Sequence, residues 1–329
     1  MNPFRLSLAA AACLVLAGCL TPSPTPLPTA PLPYAETVRV DAKPLPLDPR
    51  NPATDRIGDF IFAGAVDLTS QDTSRFHGFS DLKIIGDRLY SVGDDGAEAL
   101  EARLKLGPDG KIAGLTGARL APLIGEDGKP LQSKEETDAE GLAILPGGDK
   151  LYSFERDHRI LRYPAAGGPP VRAPIPPVKM PNNEGMEGLA PARKVGRDAY
   201  WVGIEDGQIW LCRLSADCRK IEGLPAPPSG YRLSGMTETQ GGDLVLLHHR
   251  FERLSNQSHI DVSVVRDPLV RPRVVGRFRL DSPMTVDNFE GVDVVAAPGG
   301  RQRFYFLVDD NFLASEATIL MAFDWMPPK

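Results

Sequence analysis

Short apolar segments recur along the whole chain, and turn-forming Gly, Pro, Asn and Asp residues separate them. Examples are "DFIFAGAVDL", "RLYSVG", "AYWVG" and "RFYFLV", which are rich in β-branched and aromatic residues. Runs of this length between turn residues are typical of β-strands, whereas no long stretch has the 3.6-residue apolar spacing of an amphipathic helix. The pattern therefore predicts an all-β protein.

A two-part pattern occurs five times. A small or acidic residue leads a short apolar strand, and a second strand then ends in charged residues, as in "DAEGLAIL" followed by "KLYSFERDHRI". Aligned on the leading carboxylate, the copies are 47 to 59 residues apart, at Asp81, Glu140, Glu187, Glu238 and Glu290. A multi-stranded repeat near this length is the size of a propeller blade. We predict a β-propeller of five motif-bearing blades, or six if a degenerate blade lies in the long first interval, built of mostly four-stranded antiparallel sheets.

The two ends of this domain can close the ring. The segment "DFIFAGAVDL" precedes the first copy, and "TILMAFDW" is the last strand of the chain. Pairing between them would remove exposed sheet edges.

Two acidic rings follow from this architecture. The first strand of a blade lines the channel and the second runs antiparallel to it, so the start of one and the end of the other share a face. The second ring consists of Asp94, Asp95, Glu155, Glu205, Asp309 and Asp310, with His249 and Arg250 at this position in the fourth copy.

Carboxylates this close repel one another unless something compensates their charge. One compensation is Ca²⁺ or another divalent cation, since Ca²⁺ takes about six to eight oxygen ligands. A second is a nearby cationic side chain, for which Arg75, Arg156, Arg250 and His77 are the candidates. A third is hydrogen bonding to backbone N–H groups, which would tie neighbouring blades together. The metal-ligand candidates are Asp81, Glu140, Glu187, Glu238, Glu290, Asp94 and Asp309, and the catalytic candidates are Glu155, Glu205, His77 and Arg156.

The net charge of the chain limits the classes of molecule that it is expected to bind. A net charge of −6 argues against nucleic acid, which requires a basic surface. An acidic protein that acts on a small anionic ester needs a bridging cation. We expect a monomer.

The N-terminus predicts export. Arg5 precedes an apolar stretch too short to span a bilayer, and "LAGC" ends at Cys19. This resembles a bacterial lipoprotein signal, which implies a signal peptide over residues 1–18, lipidation of Cys19, a Pro-rich tether over 19–56 and a propeller domain over 57–329. An ordinary secretory signal is the alternative. Leu20 after the cysteine favours an outer-membrane lipoprotein that faces the periplasm or the cell surface, with the lipid as its membrane contact.

Cys212 and Cys218 remain in the mature chain. Outside the cytoplasm, a pair at this spacing favours a disulfide at a hairpin end. A metal site is the alternative, but no second Cys/His pair lies nearby.

The ordered copies resemble the bacterial "esterase-like activity of phytase" family, the phytase-like β-propellers. The residues that carry the resemblance are "GFSDL" with "LYSVGDDG", "DAEGLA" with "SFERDHRI", "EGMEGLA", and "NFEGV" with "LVDDNF", from about Phe62 to Asp324. The family implies a secreted propeller that hydrolyses phosphate or carboxylic esters, with Ca²⁺ held by acids at the channel mouth. The chain departs from the family at Asp94–Asp95 and at His249–Arg250, and the second departure removes a ligand.

Three functional hypotheses are compatible with the sequence. The first is a metal-dependent ester hydrolase in the cell envelope. The second is a non-catalytic propeller that binds a ligand or an envelope partner. The third is a lactonase-type propeller with one catalytic metal.

Overall fold

The computed structural model describes residues 37–311 and 317–328. The predicted signal peptide, Cys19 and the tether up to residue 36 lie outside the described residues. Within the two described ranges, no helix is both long and apolar enough to cross a bilayer.

The regular structure is almost entirely β. The N-terminal strands are β1 (Asp41–Leu45), β2 (Arg56–Ile57) and β3 (Phe60–Thr69). Blade 1 contains β4 (Phe79–Ile85), β5 (Arg88–Gly93), β6 (Glu98–Leu106) and β7 (Ile112–Pro122). The helix α1 (Lys134–Thr137) precedes blade 2, which contains β8 (Ala139–Ile144), β9 (Lys150–Phe154), β10 (Arg159–Tyr163) and β11 (Val171–Ala173).

The remaining strands complete three further blades. Blade 3 contains β12 (Gly188–Pro191), β13 (Ala199–Gly203), β14 (Ile209–Arg213) and β15 (Ala216–Lys220). Blade 4 contains β16 (Arg232–Glu238), β17 (Leu244–Glu252), β18 (Gln257–Arg266) and β19 (Arg273–Leu280). Blade 5 contains β20 (Phe289–Ala296), β21 (Gln302–Val308) and β22 (Thr318–Trp325), with a 3₁₀ turn at Pro298–Gly300.

These sheets form a five-bladed β-propeller, as the repeat predicts. Blades 1 to 4 are four-stranded antiparallel meanders, and blade 5 is a six-stranded sheet. The inner strands β4, β8, β12, β16 and β20 contact one another in this order, and β20 also contacts β4, which closes the ring. No sixth blade is present among the described residues, because the long β6 and β7 and the helix α1 occupy the long first interval.

Blade 5 joins the two ends of the domain. Strand β3 pairs with β22 on one side, for example Val66 with Leu320, and with β1 on the other. The predicted closure is therefore confirmed. The predicted domain boundary at residue 57 is too late, because Val38 donates a hydrogen bond to the Ala118 carbonyl at 2.8 Å and Leu47 is fully buried. Residues 38–56 belong to the propeller.

Glycine allows the inner strands to pack against one another. Gly141, Gly188, Gly235 and Gly291 occupy the same position in blades 2 to 5. A Cβ at Gly235 would lie 2.1 Å from the Glu290 carbonyl oxygen, and one at Gly291 would lie 3.0 Å from the Leu82 amide. A side chain here would push adjacent blades apart. The residue before each glycine consequently stands at the channel mouth.

Candidate functional site

The channel mouth opens into a cavity of about 480 Å³. Seven carboxylate side chains of the described residues line it: Asp94, Glu140, Glu155, Glu187, Glu205, Glu290 and Asp309. Both acidic rings predicted from the sequence contribute to this set. Their use as metal ligands or catalysts stays a prediction.

One backbone contact repeats in four blades and places the second ring. The amide that follows the second strand donates to a carbonyl just before the inner strand: Asp94 to Gly78 at 3.0 Å, Glu155 to Asp138 at 2.8 Å, Glu205 to Gly185 at 3.1 Å and Asp309 to Asn288 at 3.0 Å. Asp94, Glu155, Glu205 and Asp309 are thus structurally equivalent. This shared contact aims their side chains at the same mouth.

The first ring is only partly as predicted. Glu140, Glu187 and Glu290 each precede the packing glycine and line the cavity. In blade 4, the equivalent residue is Ser234, which also lines the cavity. In blade 1, it is the buried Ser80. The ring therefore has three carboxylates and two serines.

Asp81 was wrongly aligned by one position. It takes the place of the packing glycine and is fully buried, away from the cavity lining. Its carboxylate pairs with Lys83 Nζ at 2.7 Å and accepts the Leu142 amide of blade 2 at 2.8 Å. Asp81 joins blades 1 and 2, which is the structural alternative that the sequence left open.

Glu238 was wrongly placed at the start of an inner strand. It ends β16, at the opposite end from Arg232. Its carboxylate accepts hydrogen bonds from the Arg193 amide at 2.7 Å and from Trp201 Nε1 at 3.2 Å, both in blade 3. The true counterpart of Glu187 is Ser234, which lies four residues before Glu238. The dipeptide Ser234–Gly235 is the sequence signal that could have identified it.

The remaining predicted residues lie around the rim. Asp310 accepts the Gly78 amide at 3.0 Å and the Thr318 hydroxyl at 2.6 Å, so it joins blade 5 to the entry of blade 1. Arg156 pairs with Asp138. Burial lowers the pKa of His77, although Asp310 and Asp95 oppose this shift. His77, Asp95 and Arg156 are not among the residues that line the cavity.

A group of three acids at blade 2 has the spacing of a metal site. Oxygen atoms of Asp138, Glu140 and Glu155 all lie within 4.8 Å of one another. Two oxygens bound to one Ca²⁺ at its usual distances can be at most about 5 Å apart. In addition, Asp94 Oδ1 is buried and has no hydrogen-bond partner among the described residues. Hard oxygen donors at this spacing fit Ca²⁺. The sequence prediction omitted Asp138 because the repeat was aligned two residues later.

Charge repulsion is strong at the mouth. Burial, together with the charges of neighbouring acids, raises the pKa of Glu140, Glu187 and Glu290 well above the ordinary value. Burial also raises the pKa of Asp94 to about 6 and that of Glu155 to about 7. Lys134, 2.6 Å from Asp138 and 3.6 Å from Asp94, relieves part of this repulsion.

Blade 4 gives the cavity a cationic side. Arg232, His249, Arg250 and Arg253 line it there. Arg232 pairs with Glu184 at 2.9 Å and with Glu205 at 3.1 Å, whereas burial lowers the pKa of His249 to about 4 and leaves it neutral near pH 7. Sequence reasoning missed Arg232, which stands where blades 1, 2, 3 and 5 have Gly78, Asp138, Gly185 and Asn288. The cavity thus has acids on blades 1, 2, 3 and 5 and arginines on blade 4.

The disulfide prediction is confirmed. Cys212 and Cys218 are bonded across the β14–β15 hairpin of blade 3. The pair lies in the outer part of the blade, because β15 is the last strand of its sheet.

A comparison with protein families decides the relationship. The family described as "Phytase-like: Esterase-like activity of phytase" matches residues 74–312, which is most of the propeller. The chain belongs to this phytase-like family. No curated protein sequence matches the chain.

Solved structures resemble the phytase-like propeller only distantly. Virginiamycin B lyase from Staphylococcus aureus is 12% identical, with a TM-score of 0.42 over 88% of this chain and 100% of that one. The allergen Mala s 1 from Malassezia sympodialis is 12% identical, with a TM-score of 0.45 over 82% and 91% of the two chains. A putative glucose dehydrogenase from Thermus thermophilus is 14% identical, with a TM-score of 0.41 over 87% and 99%.

Proposed function

We propose that the protein is a metal-dependent ester hydrolase that acts on small anionic esters, phosphate or carboxylic, at the channel mouth. The observation that carries this proposal is the juxtaposition of two opposite features in one cavity. Clustered carboxylates have the donor type and spacing for Ca²⁺, and three arginines face them. A cation and arginines together are suited to an anionic substrate.

The metal would be held by Asp138, Glu140 and Glu155, with Asp94 beside them. When bound, Ca²⁺ supplies a positive charge that polarises the ester oxygen and lowers the pKa of water. Arg250 and Arg253 bind the anionic group of the substrate from the other side. Glu205, which pairs with Arg232 at 3.1 Å, would accept a proton from the attacking water.

The test is EDTA-sensitive turnover. Purified protein is assayed with two anionic esters, p-nitrophenyl phosphate and mono-p-nitrophenyl succinate, with Ca²⁺ or with EDTA. We expect Ca²⁺-dependent hydrolysis of at least one ester and a loss of about 100-fold or more in kcat for Glu205→Gln, the size of a typical general-base contribution. Glu126→Gln, an exposed change outside the cavity, is the control. Absence of turnover with either ester at any Ca²⁺ concentration would refute the proposal.

One observation favours the alternative of a non-catalytic binding propeller. Blade 4 has Ser234 where blades 2, 3 and 5 have Glu140, Glu187 and Glu290, and it has His249 where all the other blades have a carboxylate, so both acidic rings are interrupted. Under this alternative, phosphate binds in the presence of Ca²⁺ but no ester is turned over. Calorimetric titration with inorganic phosphate, performed beside the turnover assay, separates the two functions.

The proposed location is the cell envelope, with the lipid on Cys19 as the anchor. The support for it is the sequence of the N-terminal segment alone. The test is fractionation of cells that express the wild type or Cys19→Ser. We expect the wild type in the membrane fraction and the variant in the soluble periplasmic fraction. Equal distribution of the two proteins would contradict the lipoprotein anchor.

A further inference from the structure

The β17–β18 hairpin of blade 4 extends beyond the channel mouth. Inner strand β16 begins at Arg232, which is paired with His249. The hairpin continues past this point for three more pairs, ending with Glu252 opposite Gln257. In blades 2 and 3, the corresponding pairing stops at Phe154 and Gly203, level with the start of the inner strand. Three strand residues add roughly 10 Å of reach.

The tip of this hairpin is both cationic and apolar. Arg250, Phe251 and Arg253 line the cavity. Phe251 is 50% exposed and Leu254 is fully exposed, although both are large apolar side chains. Packing in the folded chain does not account for Leu254, which buries nothing, and it covers only half of Phe251.

The arginine at the base of the tip is held in place. The guanidinium of Arg250 lies over the Tyr231 ring, 5.4 Å from its centroid. Its Nε is buried and has no hydrogen-bond partner among the described residues. A buried donor without a partner is costly, and an anion in the cavity would satisfy it. The turn itself is fixed by the Ser255 hydroxyl, which donates to the Glu252 carboxylate at 2.8 Å.

We propose that this hairpin is a substrate-binding arm and that the substrate is amphiphilic. Arg250 and Arg253 bind its anionic group, and Phe251 and Leu254 cover an apolar substituent that projects from the mouth. This inference rests on the proposed function, because it names the substrate class of the same cavity. The arm distinguishes esters by their apolar part, whereas the acidic cluster on the opposite side acts on the ester group common to all of them.

The first experiment measures binding without turnover. Wild-type protein with Ca²⁺ is titrated with inorganic phosphate and with octyl phosphate below its micellar concentration. We expect octyl phosphate to bind at least tenfold more tightly, since covering one large apolar side chain is worth about that factor or more. In the double variant Phe251→Ser/Leu254→Ser, the ratio of the two affinities should fall to less than about twofold. Val270→Ser, 89% exposed at the other end of the same blade, is the matched control and should behave as wild type.

The second experiment tests the arginines. Arg253→Gln should weaken phosphate and octyl phosphate by the same factor and preserve the ratio between them. A ratio that falls together with the affinities would overturn the division of roles within the arm. Failure of inorganic phosphate to bind the wild type would overturn the anion-binding role of Arg250 and Arg253.

A third experiment distinguishes binding of a monomeric substrate from binding to a membrane surface. Sedimentation with vesicles containing anionic phospholipid shows whether the tip inserts into lipid. Vesicle binding that depends on Phe251 and Leu254, without a preference for monomeric octyl phosphate, would overturn the assignment to substrate binding. If esters are hydrolysed but the double variant keeps the octyl preference, this inference fails and the proposed function stands. If the octyl preference holds without any turnover, the hydrolase proposal fails and the binding arm stands.

Discussion

The carboxylate of Asp81 in blade 1 accepts the backbone amide of Leu142 in blade 2 at 2.8 Å, and it also pairs with Lys83 at 2.7 Å. Both partners of the ion pair are buried. The contact replaces the close glycine packing that joins the other inner strands. Blade 1 is therefore attached to blade 2 by a hydrogen bond whose acceptor, Asp81, belongs to an ion pair within blade 1.

We predict that Asp81→Gly lowers the free energy of unfolding by about 3–5 kcal/mol, because it leaves Lys83 buried without a counter-ion. The double variant Asp81→Gly/Lys83→Ala copies Gly141 and Ala143 of blade 2 and should recover most of this loss. Urea unfolding of both variants measures the effect. A double variant as unstable as the single one would mean that the ion pair is not the source of the loss.

Calcium should stabilise the fold through the acidic cluster. We expect Ca²⁺ at about 100 times its Kd to add about 2.7 kcal/mol to the free energy of unfolding, measured as a rise in Tm by calorimetry. Glu140→Gln and Glu155→Gln should each reduce the shift, whereas Glu126→Gln should retain it. An equal rise in all four proteins would place the bound ion elsewhere.

Metal-free protein should lose stability as the pH rises. Burial and neighbouring charges raise the pKa of Asp94 to about 6 and that of Glu155 to about 7, above their ordinary values of 3.8 and 4.5. A carboxyl group with a raised pKa in the folded state stabilises the fold while it is protonated, and this contribution disappears as the pH passes through the folded pKa. We expect Tm in EDTA to decline between about pH 5 and pH 8.

The control for this pH dependence is Glu155→Gln, which cannot ionise at that position. The variant should show a shallower decline in Tm, and saturating Ca²⁺ should flatten the decline of the wild type. A Tm in EDTA that rises over this pH range would show that ionisation of the mouth carboxylates does not destabilise the fold.

Reduction of the Cys212–Cys218 disulfide should have a moderate effect. The bond closes a short loop with a sequence separation of 6, for which chain entropy predicts a loss of about 2 kcal/mol. We expect Cys212→Ser/Cys218→Ser to fold, to unfold at a lower urea concentration, and to keep its affinity for Ca²⁺. Loss of Ca²⁺ binding would show that blade 3 transmits strain from its outer hairpin to the mouth.

The sequence was sufficient for the architecture because strand pairing and ring closure leave regular signals. The repeat length, the match of "DFIFAGAVDL" with "TILMAFDW", and the charge at the end of each second strand all lie in the pattern itself. The repeated amide contacts of Asp94, Glu155, Glu205 and Asp309 explain why the second ring could be aligned correctly.

The first ring was harder to predict because a carboxylate has more than one use. Alignment on acids assigned Asp81 and Glu238 to the ring, although both join blades by hydrogen bonds. Close packing of the inner strands requires glycine, so alignment on Gly141, Gly188, Gly235 and Gly291 would have identified Ser234. The cationic side of the cavity could not be predicted from charge alone. Arg232 lines the cavity because it is the first residue of the inner strand β16, and this strand boundary was not recognised in the sequence.

The composite fifth blade has a consequence for the order in which the chain folds. Strand β3 is among the first parts of the domain to be made, yet its partner β22 is the last strand of the propeller. One side of β3 therefore stays unpaired until β22 has been synthesised. In blades 1 to 4, each strand pairs only with the strand before or after it in the sequence, so these blades can form earlier. Ring closure is a late, long-range step, and a chain truncated before β22 would expose an adhesive strand edge.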